Sequence, residues 1–152
     1  MAYRISRNIE ASVIEHLKDS VVSDWPGLTV EKAFSKVATL PALCVRSGNA
    51  VHSYLSVGER LTTRRVPIII DVFCENDGQR LDLKDSIIDA VRGMIPYYTV
   101  GADFELTAAG QLVVEEITEV EVNLGVDKDQ LHTTDRYRHR VTIYVSPTIV
   151  EG

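Results

Sequence analysis

The residues whose chemical types could support catalysis or metal binding are scattered along this chain. Its four histidines are His16, His52, His132 and His139, and none lies within four residues of another, so no helix presents two of them together as metal ligands. The chain has no phosphate-binding or dinucleotide-binding glycine motif, no zinc-protease helix motif and no serine-hydrolase elbow. We therefore predict a protein that is not an enzyme and that uses no metal or cofactor.

Two acidic groupings require a closer look as metal sites. Asp71 and Glu75 lie in one strand-like stretch and could serve a metal-dependent nuclease, but the next residues, Asn76-Asp77-Gly78, indicate a turn rather than a further lysine or acid. The stretch 127–135 has acids two residues apart, yet it lacks the central glycine and distal glutamate of a calcium loop. We interpret 125–134 as a mobile, solvated loop, and the nuclease stays open as an alternative.

Charge and cysteine usage exclude further classes of protein. Residues 1–76 carry nine basic and eight acidic side chains and residues 77–152 carry seven and fourteen, so the second half holds the excess acid behind the net charge of −6. A protein that grips DNA needs a basic face, which argues against that role. Cys44 and Cys74 lie in apolar stretches that predict buried, reduced thiols. The longest near-apolar run, Val66–Ile70, is far too short to span a membrane, and we expect a soluble, unexported chain.

Hydrophobic periodicity predicts an α+β fold in one domain that covers residues 1–152. Apolar side chains recur every four positions from Ile5 to Val21, which indicates a first helix over 6–23, and a second helix is predicted over 79–94. Residues 28–39 are ambiguous, with a short helix around Val30–Val37 as one interpretation. Alternating residues predict the strands, which lie over 42–46, 51–57, 62–75, 112–124 and 136–145. The order α-β-β-β-α-β-β predicts a mostly antiparallel sheet of four to five strands with both helices on one face.

The strand over 62–75 is apolar on both faces, although two helices can cover only one. If the last two strands pair as a hairpin, Glu119 and Glu121 lie opposite Arg140 and Arg138 on the face away from the helices. An apolar second face is normally covered. We therefore expect a second copy to cover it, with an exposed patch or coverage by residues 97–111 as alternatives. The candidate subunit-contact residues are Arg64, Arg65, Ile69, Phe73, Ile117, Glu119, Glu121, Arg138, Arg140 and Tyr144.

The layout resembles the tail terminator proteins of long-tailed phages, which complete the tail and join it to the head. The resemblance covers roughly residues 5–146 and combines an N-terminal amphipathic helix, the stretch Leu40–Val45 and a long arm over Arg46–Arg65. It continues with an apolar strand, a second helix over Leu81–Ile95 and the closing strand Tyr137–Val145. It rests on element order and length, and no fixed motif transfers a functional residue to this chain.

The resemblance implies a structural virion protein of the tail, assembled in the host cytoplasm. Members of that family form a ring, usually a hexamer, which caps the finished tail tube, ends its polymerisation and offers the docking surface for the neck. The implied partners are further copies of the chain, the tail tube protein and a neck or head-completion protein. The arm would reach toward a neighbour or the tube. DNA passes through such a ring without specific binding, which suits an acidic subunit, and no membrane is involved.

Two further functions remain open at this point. The chain could be another neck or head-completion component with a similar fold. It could also be a small-molecule or peptide-binding α+β module that uses a pocket between the helices and the sheet.

Overall fold

Two helices and seven strands make up the described part of the chain. The computed structural model describes residues 5–32, 40–54, 62–103, 105–123, 125–131 and 136–147. The helices are α1 (Ile5–Ser20) and α2 (Asp77–Val91). The strands are β1 (Thr29–Lys32), β2 (Ala42–Ser47), β3 (Val51–Tyr54), β4 (Thr62–Cys74), β5 (Met94–Val100), β6 (Leu106–Glu121) and β7 (Tyr137–Pro147). Short 3-10 turns occupy Val22–Asp24 and Lys128–Gln130.

Six of the strands form one mixed sheet in the order β1-β2-β4-β7-β6-β5, and β3 pairs with the first residues of β4. The β1–β2 pair is parallel, and the other described pairs are antiparallel. Strand β4 therefore lies at the centre, with β2 on one side and β7 on the other. Of the predicted arm over Arg46–Arg65, the described residues form the end of β2, all of β3 and the start of β4, and residues 55–61 lie outside the described part.

Both helices pack on the same face of the sheet, which we call the inner face, and the opposite side is the outer face. The stripe predicted on α1 is buried against this inner face, and α2 contributes Leu83, Ile87 and Val91. The inward residues of β4, from Val66 to Cys74 at every second position, join them in a single core. The predicted α+β class and the placement of both helices on one face are confirmed.

Two strands were not predicted from the sequence. Thr29–Lys32 forms β1 where a short helix was considered, because it pairs with β2 as a parallel edge strand. Met94–Val100 forms β5, where the prediction extended α2 to residue 94 and left 97–111 unassigned. Pro96 therefore lies in an edge strand, a position that proline tolerates because one side of such a strand needs no backbone donor. Tyr97 is buried in the core on the inner face, so this residue adds no cover to the outer face.

The ends of α2 follow from local backbone chemistry. The carboxamide of Asn76 caps the first turn, because Asn76 Oδ1 accepts a hydrogen bond from the Gln79 N–H at 2.8 Å. The helix ends at Val91, and Gly93 then adopts a φ of 95°, which L side chains rarely tolerate. This turn directs the chain into β5.

Three other polar side chains, one histidine and two cysteines, are partly or fully buried. The Nε2 of His16 lies 2.6 Å from the Ala90 carbonyl oxygen, and this contact joins α1 to the last turn of α2. Cys44 and Cys74 are buried, free thiols, as predicted, and burial raises the pKa of Cys74 to about 12. Neither described helix has the length and apolar content of a membrane-spanning segment.

Polar side chains of α1 close the outer edge of β5. Ser12 Oγ accepts a hydrogen bond from the Tyr98 N–H at 2.8 Å, and Asn8 Oδ1 accepts one from the Val100 N–H at 3.1 Å. The Asn8 amide also donates to the Tyr97 hydroxyl at 3.2 Å. Both Asn8 and Ser12 are buried, so these bonds satisfy groups that would otherwise be stranded in the core. An edge strand occupied in this way cannot pair with a foreign strand at these positions.

We expect Ser12→Ala and Asn8→Ala each to lower the free energy of unfolding by about 1–3 kcal/mol, because each leaves a buried backbone N–H of β5 without an acceptor. Urea denaturation followed by circular dichroism measures the change. Ser6→Ala, at an exposed position of the same helix, is the control and should change stability by less than about 0.5 kcal/mol. Equal effects of Ser12→Ala and Ser6→Ala would contradict this role.

Candidate interaction surface on the outer face of the sheet

Strand register determines which residues lie on the outer face. Residues directly opposite one another in an antiparallel pair point to the same side of a sheet. Because the even-numbered residues of β4 enter the core, the odd-numbered ones, and the residues opposite them, lie outward. The outer face therefore contains Thr29 and Glu31 of β1; Ala42, Cys44 and Arg46 of β2; Arg65, Pro67, Ile69, Asp71 and Phe73 of β4; Arg138, Arg140, Thr142 and Tyr144 of β7; and Glu116, Thr118 and Val120 of β6.

Asp71 is a buried carboxylate on this face that two arginines contact. It lies directly opposite Arg140 in the β4–β7 ladder, and Arg140 Nε donates to Asp71 Oδ1 at 2.9 Å. Arg138 Nη2 lies 3.4 Å from the same oxygen. The Asp71 side chain is only 1% exposed, so the carboxylate depends on these two cations for the interactions that water would otherwise supply.

Phe73 is covered by the chain itself. Its ring is 6% exposed, and the Arg138 guanidinium lies over the ring, 4.8 Å from the centroid. Ala42, Cys44 and Leu40 pack around the same ring in a small second core. The expectation that a second copy covers Phe73 is therefore wrong, because a long arginine side chain can shield an apolar ring while its charged head stays beside Asp71.

A second group of charged and aromatic side chains occupies the other end of the outer face. The Arg65 guanidinium lies over the Tyr144 ring at 4.6 Å from the centroid. It also pairs with Glu116, and its Nε lies 3.4 Å from Glu115 Oε2. Ile69 lies between the two ends, and both Ile69 and Tyr144 are half-buried. Arg64, the remaining candidate on β4, is half-buried where β4 pairs with β3, opposite His52.

Arg64, at an even-numbered position of β4, does not belong to the outer face, and neither do the three candidates on β6. A β-bulge at Glu115 shifts the β6–β7 register by one residue, so Glu119 lies opposite Val141 and Glu121 lies opposite His139. The predicted pairs of Glu119 and Glu121 with Arg140 and Arg138 are therefore absent from the ladder. One inserted residue exchanges the two faces of the rest of the strand. Ile117 consequently packs against the inner core.

The displaced glutamates join a charged cluster beneath α2 that hydrophobic periodicity does not reveal. Lys84 Nζ lies 2.8 Å from Glu119 Oε1, and His139 Nε2 lies 3.3 Å from the same oxygen. Arg80 Nη1 lies 2.8 Å from His139 Nδ1, and Arg80 also pairs with Asp77 at 2.9 Å. Arg80 and Lys84 repeat at helical spacing, but only a strand register that includes the bulge places Glu119 and Glu121 beneath them.

Protonation states in this cluster follow from its geometry. Arg80 can only donate, so His139 Nδ1 must accept and the proton of the neutral ring sits on Nε2, facing Glu119. Burial and the neighbouring Arg80 charge lower the pKa of His139. The hydrogen bond from Lys84 lowers the pKa of Glu119, and the same contact raises the pKa of Lys84.

The structure gives no support to the nuclease alternative. Asp71 is engaged by two arginines, whereas Glu75 lies beyond the end of β4 and is exposed. Within the described ranges, no three histidine, cysteine, aspartate or glutamate side chains are grouped so that they could hold a metal ion. The carboxylate that would have to bind the metal thus carries a structural ion pair instead.

A groove of about 280 Å³ lies beside α1, away from the outer face. It is mostly apolar, and one of its carboxylates, Glu10, already accepts hydrogen bonds from the backbone and side chain of Ser47, each at 3.1 Å. The lining residues are Arg7, Glu10, Ala11, Ile14, Glu15, Val100 and Leu106.

Comparisons with known proteins identify a shared fold. No protein-family model and no curated protein matches the chain. Among solved structures, a chain from the virion of a native gene transfer agent particle matches with a TM-score of 0.56 and 15% sequence identity. The match covers 99% of this chain and 99% of that chain. The two chains therefore share one fold over their whole length.

Asp71→Asn should lower the free energy of unfolding by roughly 2–4 kcal/mol, because two partly buried arginines lose their shared countercharge. Chemical denaturation measures this loss. The control is Asp82→Asn on the exposed side of α2, where we expect a change of less than about 0.5 kcal/mol. A stability unchanged by Asp71→Asn would show that the carboxylate does not hold the outer face together.

Acidification should weaken the fold through His139. Because its pKa is lower in the folded than in the unfolded chain, the unfolded chain binds the proton more readily. The stabilisation is complete above the unfolded pKa of about 6.5 and declines as the pH falls toward the folded pKa. Urea unfolding at several pH values between 7.5 and 5.5 should show this decline, and His139→Gln should flatten it. His132→Gln, a substitution outside the described residues, is the comparison, and an equal flattening there would contradict the assignment.

Proposed function

We propose that this chain is a structural protein of a phage-like virion and that it acts as a tail terminator. In this role it forms a ring on the finished tail tube, stops tube growth and receives the neck. The observation that carries the proposal is the fold shared with a gene transfer agent virion chain over 99% of both chains. The element order that resembles tail terminators supports the same assignment independently of that comparison.

The outer face suits a contact between subunits. It combines two half-buried apolar side chains, Ile69 and Tyr144, with arginines held in place by Asp71, Glu115 and Glu116. Arginines fixed by intramolecular ion pairs lose little conformational entropy when they bind a partner, and interfaces are enriched in arginine and aromatic side chains. We assign the subunit contact to the outward residues Arg65, Ile69, Arg138, Arg140 and Tyr144, whereas Phe73 supports Arg138 from below and Arg64, at an even-numbered position of β4, is not included.

The proposed role is non-enzymatic and rests on occupying surfaces. A net charge of −6 per subunit repels phosphate, so DNA can pass through a ring of such subunits without being retained. The capping of β5 by α1 also suits a protein that ends a polymer, because it closes part of a sheet edge to further strand addition.

The groove beside α1 favours a second candidate function, the binding of a short apolar peptide or small molecule. A volume of about 280 Å³ is near the lower limit for a ligand site.

A neck or head-completion component with this fold remains the alternative within virion proteins. The position of the added protein on the tail tube in negative-stain images distinguishes it from a terminator.

The decisive experiment is light scattering and negative-stain imaging of the purified protein, alone and mixed with tail tubes. We expect ring-shaped particles with a mass near six times 16.9 kDa, or rings that close only on tube ends. Ile69→Glu should abolish rings, because it places a carboxylate in the middle of the outer face. Met94→Glu introduces the same change at an exposed position of β5 and should leave rings intact.

A mass of 16.9 kDa by light scattering at every concentration, with no added density at tube ends in negative-stain images, would refute the ring. Thermal melting of both variants establishes that each is folded. Binding of a peptide in the groove, combined with the absence of rings, would favour the second candidate.

A further inference from the structure

One end of the outer face is a basic surface on an acidic protein. Around Asp71 lie three outward arginines, Arg46, Arg138 and Arg140, and the exposed Glu31 of β1 lies opposite Cys44 on the same face, so this end carries a formal charge of +1. Val120, directly opposite Arg140, is 54% exposed and places an apolar side chain beside these cations. We call these residues the basic end. The whole chain has a net charge of −6, so a second copy carries complementary charge elsewhere on its surface.

The solvent side of α2 is the matching acidic surface. Leu81, Asp82, Asp85 and Asp89 fall within a 100° arc at the helical repeat of about 100° per residue, and all four are exposed. Leu81 is 42% exposed and supplies the apolar element.

The bases of α2 neutralise this side, which we call the acidic side, only in part, because Lys84 Nζ lies 3.0 Å from Asp85 Oδ1 whereas Asp82 and Asp89 extend the side along the helix. Arg80 and Lys84 turn inward to the charged cluster, where their side chains are 8% and 17% exposed. Arg92 is exposed just beyond the helix end, so a surplus of carboxylates remains.

We propose that the acidic side of α2 in one copy binds the basic end of the outer face in the next copy, an inference that rests on the proposed ring. Leu81 would contact Val120 at the centre, and the aspartates would approach Arg138 and Arg140 at the rim. An apolar centre with a charged rim is the usual anatomy of a specific interface. Opposite charges also steer the encounter and fix its register.

The placement of the two surfaces determines the type of assembly. Helix α2 packs on the inner face, so its solvent side and the outer face point away from each other in one subunit. A contact between two different surfaces is head-to-tail, and each bound copy leaves one free surface of each kind. Such contacts close into a ring when the rotation between neighbours permits it. A two-fold dimer would instead use the same surface on both copies.

Charge reversal on each surface tests the contact. The first variant is Asp82→Lys with Asp89→Lys, and the second is Thr118→Glu with Val120→Glu, all at exposed positions. Each variant alone should assemble at least about tenfold more weakly than the unmodified chain, because like charges then face each other. An equimolar mixture of the two variants should recover assembly. The lysines on α2 of the first variant then meet the glutamates on the outer face of the second, and the unmodified α2 of the second meets the unmodified outer face of the first.

A matched control has the same change of charge elsewhere. Asp103→Lys with Asp127→Lys alters two exposed acids outside both surfaces and should leave assembly within about twofold of the unmodified chain. Thermal melting of all variants confirms that they fold. Light scattering at low and high salt measures assembly, and salt should weaken the unmodified contact.

The outcomes separate this inference from the proposed function. Rings that form normally in both reversed variants, or a mixture that does not recover, would overturn the contact and leave the ring intact. Failure of the unmodified chain to assemble, alone or on tubes, would overturn both. Fluorescence anisotropy with duplex DNA at low salt tests whether the basic end binds phosphate instead. If Thr118→Glu with Val120→Glu loses DNA binding while its assembly is unchanged, the basic end is a phosphate site and the proposed contact is refuted.

Discussion

The central strand β4 imposes the constraint on which the rest of the structure depends, because its thirteen residues are largely apolar on both faces. Its inner side forms the core with α1 and α2, so neither helix covers the outer face. The outer side must then be covered by other means. The chain achieves this with a buried carboxylate, Asp71, that draws Arg138 and Arg140 across the strand and places Arg138 over Phe73. Two ion pairs to one carboxylate thereby help to cover a strand face that a third layer of helices covers in other proteins.

This form of cover changes what the outer face can do. A bare apolar face would bind any apolar partner and would favour aggregation. A face of anchored arginines, together with Ile69 and Tyr144, discriminates by charge and shape instead. The proposed contact with α2 of a second copy uses that property. It also explains why the subunit can be acidic overall and still have a specific self-contact.

On the inner face, charged side chains also contact one another beneath α2. The bulge at Glu115 turns Glu119 under α2, where Lys84 and His139 contact it, and Arg80 bridges His139 to Asp77. This cluster anchors the helix from below and turns its bases inward, which leaves the aspartates on the solvent side. At the other end of the sheet, Asn8 and Ser12 close the edge of β5. Polar side chains of the chain itself thus occupy one described edge of the sheet and the space between α2 and β6.

Hydrophobic periodicity by itself determined the α+β class, both helices, their common face and the alternation along β4 and β7. These features depend on local repeats of 3.6 and 2 residues, which a sequence displays directly. The tertiary structure decided the side on which Ile117, Glu119 and Glu121 lie, because a single inserted residue reverses the alternation and only strand pairing reveals it. It also decided that Phe73 is covered by Arg138 and that Asn8 and Ser12 cap an edge. Those contacts join residues far apart in the chain, and no local pattern encodes which distant partner will meet a given side chain.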